Sequence, residues 1–383
     1  MRVLHVIPSL SPTEGGPSTA LPLMTGALSQ EGVEVVVATT DDAGHGIRKR
    51  TTTNRITFRD GAEIHHFPKQ TEFYKVSLPL ARWTSKHLES FDLVHVHALF
   101  SYASVTAARL ALRSRKPFLI RPLGVLNRYG IENRRPLFKQ LSLRFRESVL
   151  LRKANAVHFT SEQEREEAEE LRIPMQSRII PIGIPAPTSH APSTEPGPYL
   201  LYLSRLDEKK NLASLLMAWA GLSRRWPSWR LKIAGAGNDH HIAYLRARAE
   251  TLRVSSSVDW LGHLEGDKKR KALREASAFV LPSHSENFGI AAAEALACGL
   301  PSVLSSGVAV GREAADENAC LLCDPSPESI ETNLNHLVGN PVLRESLSNA
   351  ARIFTREHYG VQKMGASLHS LYEEILLNAP EPR

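Results

Sequence analysis

The chain has 383 residues, which is long for one domain and short for three, so we expect two domains of about 150–200 residues. Hydrophobic residues make up 42% and charged residues 23%, a composition that excludes a disordered tail, a collagen and a low-complexity scaffold. The formal net charge is +7, and all of this excess lies in residues 1–197, which carry 26 basic and 19 acidic residues.

The first half of the chain alternates predicted strands with predicted helices. Strands are predicted at 2–7, 33–39, 62–67, 92–96, 118–121 and 156–160. Helices are predicted at 18–29, with Ser18 as the N-cap, and at 103–113, 136–152 and 161–170. Strands separated by helices predict a parallel sheet that is covered on both faces.

A proline-rich stretch at 181–198 interrupts the alternation. It contains six prolines, together with Ser, Thr and Gly, and therefore predicts a linker. Strands then resume at 199–203, 230–234, 258–261, 279–281 and 302–304, and helices at 211–223, 240–252, 267–275 and 289–297. We expect two doubly wound α/β domains that face each other across a cleft, because such sheets bind ligands at the carboxyl ends of their strands.

Cysteine content and hydropathy indicate the compartment. The chain has three cysteines, Cys298, Cys320 and Cys323, which is typical of a reducing cytosol. The CxxC spacing of the last two favours packed core thiols over a metal or redox pair, because no second pair completes four ligands. No apolar run reaches the roughly 20 residues of a membrane span, and we expect neither a span nor a cleaved signal. A cytoplasmic location follows.

The loop after the first strand contains Gly15-Gly16 just before a predicted helix. Paired glycines let backbone approach a ligand closely, and the free N–H groups of a helix N-terminus attract phosphate. The spacing is not GxGxxG, so a plain structural turn is the alternative interpretation.

Two loops of the second domain carry similar signals. Arg205 and Lys210 flank the carboxyl end of its first strand, where two cations can clamp a diphosphate. A solvated basic turn is the alternative. Gly235 lies in an Ala-Gly-Ala-Gly run after the next strand, where it permits close backbone approach to a ligand, although a tight turn also explains it.

The segment 282–301 carries the most specific signal. It places Glu286 in a loop before a helix and Glu294 within that helix. The helix amides suit phosphate, whereas a carboxylate beside a diphosphate is repelled unless it accepts hydrogen bonds from hydroxyl groups. A sugar nucleotide supplies both kinds of group.

Together these motifs resemble those of the retaining glycosyltransferases of family 4, whose GT-B architecture has two Rossmann-like domains. The resemblance spans nearly the whole chain and includes VIPSLSPTEGGPS, HVHALFSY, SRLDEKKN, IAGAG, VDWLGHL and ENFGIAAAE followed by ALACGLP. It implies that Arg205 and Lys210 bind the donor diphosphate, that Glu294 holds the ribose and that Glu286 contacts the transferred sugar. It adds to the donor site Gly15, Gly16 and the backbone amides of Phe288, Gly289 and Ile290, with His263 near the base.

One position departs from the family pattern. Leu123 stands where these enzymes commonly carry a histidine of the acceptor domain. Arg121, Asn127 and Arg128 are then candidate acceptor-binding residues. His97, on the same side of its strand as His95, is a candidate catalytic substitute, with a satisfied strand-end histidine as the alternative.

The resemblance therefore implies an acceptor domain at 1–185, a linker at 186–198 and a nucleotide-sugar domain at 199–358, with a final helix at about 359–377 packing back on the first domain. The expected activity is transfer from a nucleoside diphosphate sugar to a saccharide or lipid-linked acceptor with retention of configuration, in exopolysaccharide or cell-envelope polysaccharide synthesis. A catalytically impaired sugar-nucleotide-binding protein is the alternative.

We expect neither a cofactor nor a metal, because no Asp-x-Asp motif stands in a suitable loop and Asp41-Asp42 is interpreted as a solvated loop end. Residues 109–153 carry 13 basic and two acidic residues. The stretch has few interleaved aromatic residues and no recognised module, so nucleic acid is not an expected partner. Contact with anionic lipid headgroups or a pyrophosphate-linked acceptor is expected instead, with a solvated helix as the alternative.

Overall fold

The computed structural model describes residues 1–11, 15–42, 54–127, 131, 136–186 and 197–379. The chain divides into two compact units: unit 1 comprises Met1–Gly183 with Val361–Arg383, and unit 2 comprises Ile184–Gly360. Most of the predicted linker, 187–196, lies outside the described residues.

Unit 1 combines eight described strands with seven described helices, numbered in chain order. The strands are β1 (Arg2–Ile7), β2 (Glu34–Thr40), β3 (Arg55–Arg59), β4 (Ala62–Phe67), β5 (Leu93–His97), β6 (Phe118–Arg121), β7 (Ala156–Phe159) and β8 (Ser177–Ile179). The helices are α1 (Gly16–Gln30), α2 (Leu78–His87), α3 (Tyr102–Arg113), α4 (Pro136–Ser142), α5 (Ser148–Lys153), α6 (Glu162–Glu169) and the last helix of the chain, α14 (Val361–Leu377). A π-helical turn, Leu143–Glu147, joins α4 to α5.

The sheet of unit 1 has the order β3-β4-β2-β1-β5-β6-β7-β8 and is parallel apart from the edge strand β3, which pairs antiparallel with β4. Strands β2, β3 and β4 lie on one side of β1, and strands β6, β7 and β8 lie on the opposite side, beyond β5. The topological switch point therefore lies between β1 and β5. One face of the sheet packs under α2, α3 and α5, and the other under α1 and α14. The strands β3 and β8 and the helix α2 were not predicted from the sequence, since they are short or largely exposed.

The predicted start of α1 needs correction. The helix begins at Gly16, and its N-cap is Gly15 rather than Ser18. Gly15 has φ 75°, a left-handed conformation that glycine adopts without a Cβ clash. Ser18 lies inside the first turn, where its hydroxyl donates to the carbonyl of Gly15 at 2.6 Å.

Unit 2 is a second parallel α/β unit. Its strands are β9 (Tyr199–Leu203), β10 (Arg230–Ala234), β11 (Val258–Gly262), β12 (Ala278–Leu281), β13 (Ser302–Ser305) and β14 (Leu321–Cys323). Its helices are α7 (Leu212–Arg225), α8 (Asp239–Thr251), α9 (Gly266–Glu275), α10 (Ile290–Ala297), α11 (Ala309–Asp316), α12 (Pro327–Gly339) and α13 (Pro341–His358). The strand order β11-β10-β9-β12-β13-β14 puts the switch point between β9 and β12.

Two further features complete the description. Cys320 and Cys323, at the edge strand β14, are buried, and burial raises the pKa of both thiols to about 12. They are therefore protonated thiols at neutral pH.

Among the described helices, none combines the length and the apolar character that crossing a membrane requires.

Candidate functional site

The switch point of unit 2 brings together two of the predicted donor-site residues. Lys210 follows β9 and Glu286 follows β12, and Lys210 Nζ lies 2.5 Å from Glu286 Oε1. Ser283, which is fully buried, donates its hydroxyl to the same oxygen at 3.1 Å. Both charged side chains are largely shielded from water, so the ion pair fixes them at the carboxyl edge of the sheet.

Backbone contacts hold the loops that carry this ion pair. Asn211 adopts a left-handed conformation with φ 57°, and its side-chain amide donates to the carbonyls of Pro282 and Pro325. The amide of His284 donates to the carbonyl of Lys209 at 2.9 Å. The loops after β9 and β12 are thus tied to each other, and the Lys210–Glu286 pair is a consequence of the fold.

The second predicted glutamate has a lysine partner that the sequence analysis missed. Glu294, on α10, accepts from Lys269 Nζ, on α9, at 2.7 Å through Oε1. Lys269 lies in the run Asp267–Lys271, where four consecutive basic residues on a predicted helix gave no reason to select one of them. In the described residues, therefore, each of the two candidate donor-site glutamates is neutralised by a lysine.

The start of α10 lies between these two pairs. Gly289 is its N-cap, with φ 93°, and no side chain caps the helix. A Cβ at Gly289 would lie 2.7 Å from Val308 Cγ1, so this position requires glycine on steric grounds. Phe288 is buried against Tyr359 with ring centroids 5.1 Å apart, which fixes the chain before the amides of Gly289 and Ile290. Those amides are available to an anion or a hydroxyl.

The remaining predicted donor residues of unit 2 do not belong to either of the two lysine–glutamate pairs. Arg205 is half exposed, and its Nη2 lies 3.7 Å from Asp207 Oδ2. His263 is also half exposed, with Nε2 3.7 Å from Glu265 Oε2. A Cβ at Gly235 would lie 1.8 Å from the carbonyl oxygen of Ser204, so packing between the loops after β9 and β10 already accounts for this glycine.

In unit 1, the predicted acceptor residues lie at the end of β6 and in the segment that follows it. Arg121 and Asn127 are buried, and Arg128 lies outside the described residues. Leu123 has φ 60°, which is strained for a leucine, and the next residue, Gly124, donates its amide to Glu164 Oε1 at 2.6 Å. Burial lowers the pKa of the Arg121 guanidinium to about 10, although the nearby charge of Glu164 opposes this shift.

Left-handed residues also follow the neighbouring strand. Ala98, with φ 70°, and Phe100, with φ 54°, come directly after β5. Strained backbone therefore accumulates at the carboxyl ends of the adjacent strands β5 and β6, and such strain is concentrated at functional sites in proteins. This edge of the unit 1 sheet is the region where the sequence placed an acceptor site.

His97 belongs to a buried chain of histidines. Its Nε2 lies 3.0 Å from His5 Nδ1, and His5 Nε2 lies 3.3 Å from the hydroxyl of Tyr372 on α14. That hydroxyl lies 2.7 Å from His95 Nδ1, and His95 Nε2 lies 3.4 Å from His158 Nδ1. All of these side chains are fully buried, so His97 has no exposed surface with which to contact a substrate.

One hydrogen bond to a backbone carbonyl determines the tautomers of these four histidines. His158 Nε2 lies 2.9 Å from the carbonyl oxygen of Ile180, which can only accept, so this nitrogen donates. In a neutral ring His158 Nδ1 must then accept from His95 Nε2, and the same logic runs through the Tyr372 hydroxyl and His5 to His97. All four histidines are thereby assigned as Nε2–H tautomers. This series of hydrogen bonds ends at His97 Nδ1, a buried lone pair that has no hydrogen-bond partner among the described residues.

We expect the folded protein to lose stability as the pH falls from about 6.5 to 5. Burial, reinforced by nearby positive charge, lowers the pKa of His5 and of His158 to about 3, against about 6.5 for an unfolded histidine. Above pH 6.5 both states are deprotonated and these residues leave stability unchanged. Below it, the unfolded chain binds protons that the folded chain does not, and each proton costs roughly 1 kcal/mol per pH unit.

Urea unfolding at stepped pH measures this slope. His158→Gln should flatten it, whereas His240→Gln, at an exposed position of α8, should leave it unchanged. A stability that stays constant between pH 6.5 and 5 would contradict the neutral assignment.

Two described groups could in principle hold a metal ion: His5, His95 and His97, whose ligand atoms lie within 4.8 Å of one another, and the exposed set Glu317, Glu357 and His358. In the histidine group every ring nitrogen except His97 Nδ1 is already hydrogen-bonded, and burial, reinforced by the charge of the buried Arg121, lowers the pKa of all three rings. This environment favours neutral, hydrogen-bonded rings over a bound cation.

The interpretation of Asp41-Asp42 as a solvated loop end is wrong for Asp42. Its carboxylate is buried and paired with Lys69 and with Lys75, whose Nζ lies 2.5 Å from Oδ2. Burial by itself would raise the pKa of this carboxyl, but the hydrogen bonds from the two lysines hold it well below its usual range. Asp42 is a structural ion-pair residue of unit 1.

Two parallel α/β units, each with a topological switch point, and a charged site at the second of these points define a protein of the GT-B class. The family model "Glycosyl transferase 4-like domain" matches residues 15–183, and "Glycosyl transferases group 1" matches residues 189–354. The chain therefore belongs to the group 1 glycosyl transferases, which confirms the family and the fold class predicted from the sequence.

Individual relatives are distant. A glycogen synthase of Mycobacterium tuberculosis is 29% identical over 233 residues, which cover 59% of this chain and 56% of that protein. The chain thus aligns with little more than half the length of this relative. GDP-mannose:cellobiosyl-diphosphopolyprenol alpha-mannosyltransferase of Xanthomonas oryzae pv. oryzae is 26% identical over 80% of this chain and 78% of its own length.

Among solved structures, the sucrose-phosphate synthase of Thermosynechococcus elongatus has a TM-score of 0.80 at 17% identity. The similarity covers 98% of this chain and 99% of that one. At this level of identity the similarity concerns the fold.

Proposed function

We propose that the chain transfers a sugar from a nucleoside diphosphate sugar to a saccharide or lipid-linked acceptor, with retention of anomeric configuration. The observation that carries the proposal is the Lys210–Glu286 ion pair at the switch point of unit 2, where doubly wound folds bind their ligands. Group 1 family membership supports the same reaction class.

In this proposal the donor replaces the contact between Lys210 and Glu286 and leaves the contact between Lys269 and Glu294 in place. Lys210 turns from Glu286 to the donor diphosphate, and Glu286 then accepts hydrogen bonds from hydroxyls of the transferred sugar. Lys269 neutralises Glu294 while that carboxylate accepts from the ribose hydroxyls. Arg205, half exposed, and the amides of Phe288, Gly289 and Ile290 complete the donor contacts, with His263 beside the base.

Charge stabilisation on the leaving group is the proposed source of catalysis. As the bond from the sugar to the diphosphate breaks, negative charge grows on the departing oxygen. Lys210 and the uncapped N-terminus of α10 are placed to stabilise it. Retention corresponds to attack of the acceptor hydroxyl on the same face, with the departing oxygen taking the hydroxyl proton. We assign no metal and no cofactor to this step, since the lysines and the helix amides supply the positive charge.

The acceptor is proposed to bind unit 1 at the carboxyl ends of β5 and β6, where the backbone is strained. Arg121 and Asn127 line this edge, and Arg128 remains a candidate. His97 is not given a substrate contact, because it is fully buried. The Xanthomonas relative is named for a diphosphopolyprenol-linked acceptor, which supports a lipid-linked acceptor for this chain. A role in exopolysaccharide or cell-envelope polysaccharide synthesis, in the cytoplasm at an anionic membrane surface, follows from that choice.

A catalytically impaired sugar-nucleotide-binding protein remains the second candidate, and Leu123 is the observation that favours it.

A thermal-shift screen with UDP-, GDP- and ADP-sugars selects the donor for the decisive test, because a tight ligand stabilises the folded state. With that donor, an acceptor extract and excess EDTA, we expect product with the anomeric configuration of the donor, read by NMR. Binding without product would favour the second candidate. Activity that is lost in EDTA and restored by manganese would reject the metal-free step.

A further inference from the structure

The segment from α4 to α5 presents a row of exposed apolar side chains. Leu137 is 82% exposed, Leu141 61%, Phe145 64% and Val149 45%. They are spaced four residues apart, and we refer to these four side chains as the apolar stripe. Leucine and phenylalanine at such exposure in one row are unusual on a protein surface that faces only water.

The stripe is separate from the face by which this segment joins the core. Leu150 and Leu151 are buried in the core of unit 1, and Leu143 packs against it. On the same segment, the buried hydroxyl of Ser142 donates to the carboxylate of Glu147, at 2.8 Å to Oε2. The core-facing side is thus complete, so the segment is apolar on two sides, and one of these sides is exposed with no apolar partner among the described residues.

The π-helical turn keeps the stripe straight. In an unbroken α-helix each step of four residues advances about 40° beyond a full turn, so three steps would rotate the row by about 120°. The turn at Leu143–Glu147 closes i→i+5 bonds and advances less per residue, which counteracts this drift. Phe145 and Val149 therefore stay closer to the line of Leu137 and Leu141 than a regular helix allows.

The charges around the stripe have one sign. Arg144, Arg146, Arg152 and Lys153 are exposed on the same segment. Glu147 is the sole acidic residue within 136–153, and it is buried, which raises the pKa of its carboxyl. An apolar row flanked by exposed cations matches the boundary between the acyl chains and the anionic headgroups of a bilayer.

We propose that the α4–α5 segment docks on an anionic lipid bilayer, with the apolar stripe entering the acyl boundary and the four basic side chains contacting headgroup phosphates. This inference deepens the membrane contact of the proposed function and rests on it, but it replaces contact through charge alone with insertion of named side chains. Docking through this segment would hold unit 1 at the surface from which a lipid-linked acceptor is drawn.

Vesicle flotation tests the docking. Wild-type protein should float with phosphatidylcholine vesicles that contain 30% phosphatidylglycerol and should remain unbound with phosphatidylcholine alone. The double substitution Leu141→Ser/Phe145→Ser, which we call the stripe variant, removes the two central apolar side chains. It should therefore lower the partition coefficient of the protein into these vesicles by at least about tenfold. The matched control is Ile56→Ser/Phe58→Ser, at two exposed positions of the edge strand β3, which should bind like wild type.

Insertion has its own readout. In Phe145→Trp, brominated lipids should quench the added fluorescence, whereas the fluorescence added by Phe58→Trp should not be quenched. Equal flotation of the stripe variant and wild type, or no quenching at position 145, would overturn insertion. So would concentration-dependent dimers, seen by sedimentation without vesicles and abolished by the stripe variant, because the stripe would then bind a second copy of the chain.

The donor thermal shift separates this inference from the proposed function. Donor binding in solution should be the same in the stripe variant and in wild type. If the donor binds and turns over but vesicles do not bind, the docking inference fails and the transferase proposal stands. If vesicles bind and no donor does, the transferase proposal fails.

Discussion

Lys210→Met should lower the transfer rate by about 10²–10³-fold, while the donor dissociation constant changes much less. The substitution removes the buried cation that we propose contacts the oxygen on which charge grows, and loss of one preorganised stabiliser of this kind typically costs that much in rate. Steady-state transfer kinetics give the rate, and calorimetric titration with the donor gives the dissociation constant.

Controls must separate this loss of rate from any loss of stability, because the substitution leaves the Glu286 carboxylate without its lysine partner. Glu286 is itself largely buried, so Lys210→Met could destabilise unit 2. The double substitution Lys210→Met/Glu286→Gln removes that charge and should restore the melting temperature without restoring the rate. Lys268→Met, at an exposed position of α9, should behave as wild type. If Lys210→Met and Lys268→Met have equal rates, Lys210 has no role at the leaving group.

The second glutamate is expected to respond differently. Glu294→Ala should weaken donor binding with a smaller change in the rate at saturation, because a ribose contact is the same before and during bond breaking. Leu123→Ala, in unit 1, should barely alter donor binding. The two lysine–glutamate pairs of unit 2 thus predict separate kinetic signatures, although their glutamates lie only eight residues apart in sequence.

Tyr372→Phe is expected to destabilise unit 1 by about 2–6 kcal/mol. The hydroxyl of Tyr372 accepts from His5 Nε2 and donates to His95 Nδ1, so its removal leaves two fully buried ring nitrogens without partners. Each buried, unsatisfied polar group costs about 1–3 kcal/mol. Differential scanning calorimetry should show a lower melting temperature, by about 2–4 °C for each kcal/mol in a unit of this size.

Two observations check the origin of that effect. Tyr244→Phe, on an exposed part of α8, should leave the melting temperature unchanged. Histidine-selective ¹⁵N NMR of the wild type should show the Nε2–H tautomer for His5, His95, His97 and His158. An Nδ1–H tautomer at any of them would contradict the directed chain that starts at the carbonyl of Ile180.

Local pattern was enough to predict much of this protein. The strands β1, β6, β9 and β10 lie at their predicted residues, because runs of buried apolar residues between turn signals leave little choice of conformation. The edge strand β3 was missed for the converse reason: its side chains are mostly exposed, and its place depends on pairing with β4. Glu286, Glu294, Arg205 and Lys210 could be selected because their residue types and order form a motif.

Residues that are close together in sequence were enough to predict the two-unit α/β class, the family and the residues to examine for donor binding, since apolar periodicity and motif order are properties of neighbouring residues. Which of those residues contact each other depends on the tertiary structure. It paired Lys210 with Glu286 and Lys269 with Glu294, joined His97 to Tyr372 across 275 positions of sequence, and buried Asp42 between two lysines. These contacts depend on strand order and helix packing, which bring distant residues together at distances that no local pattern encodes.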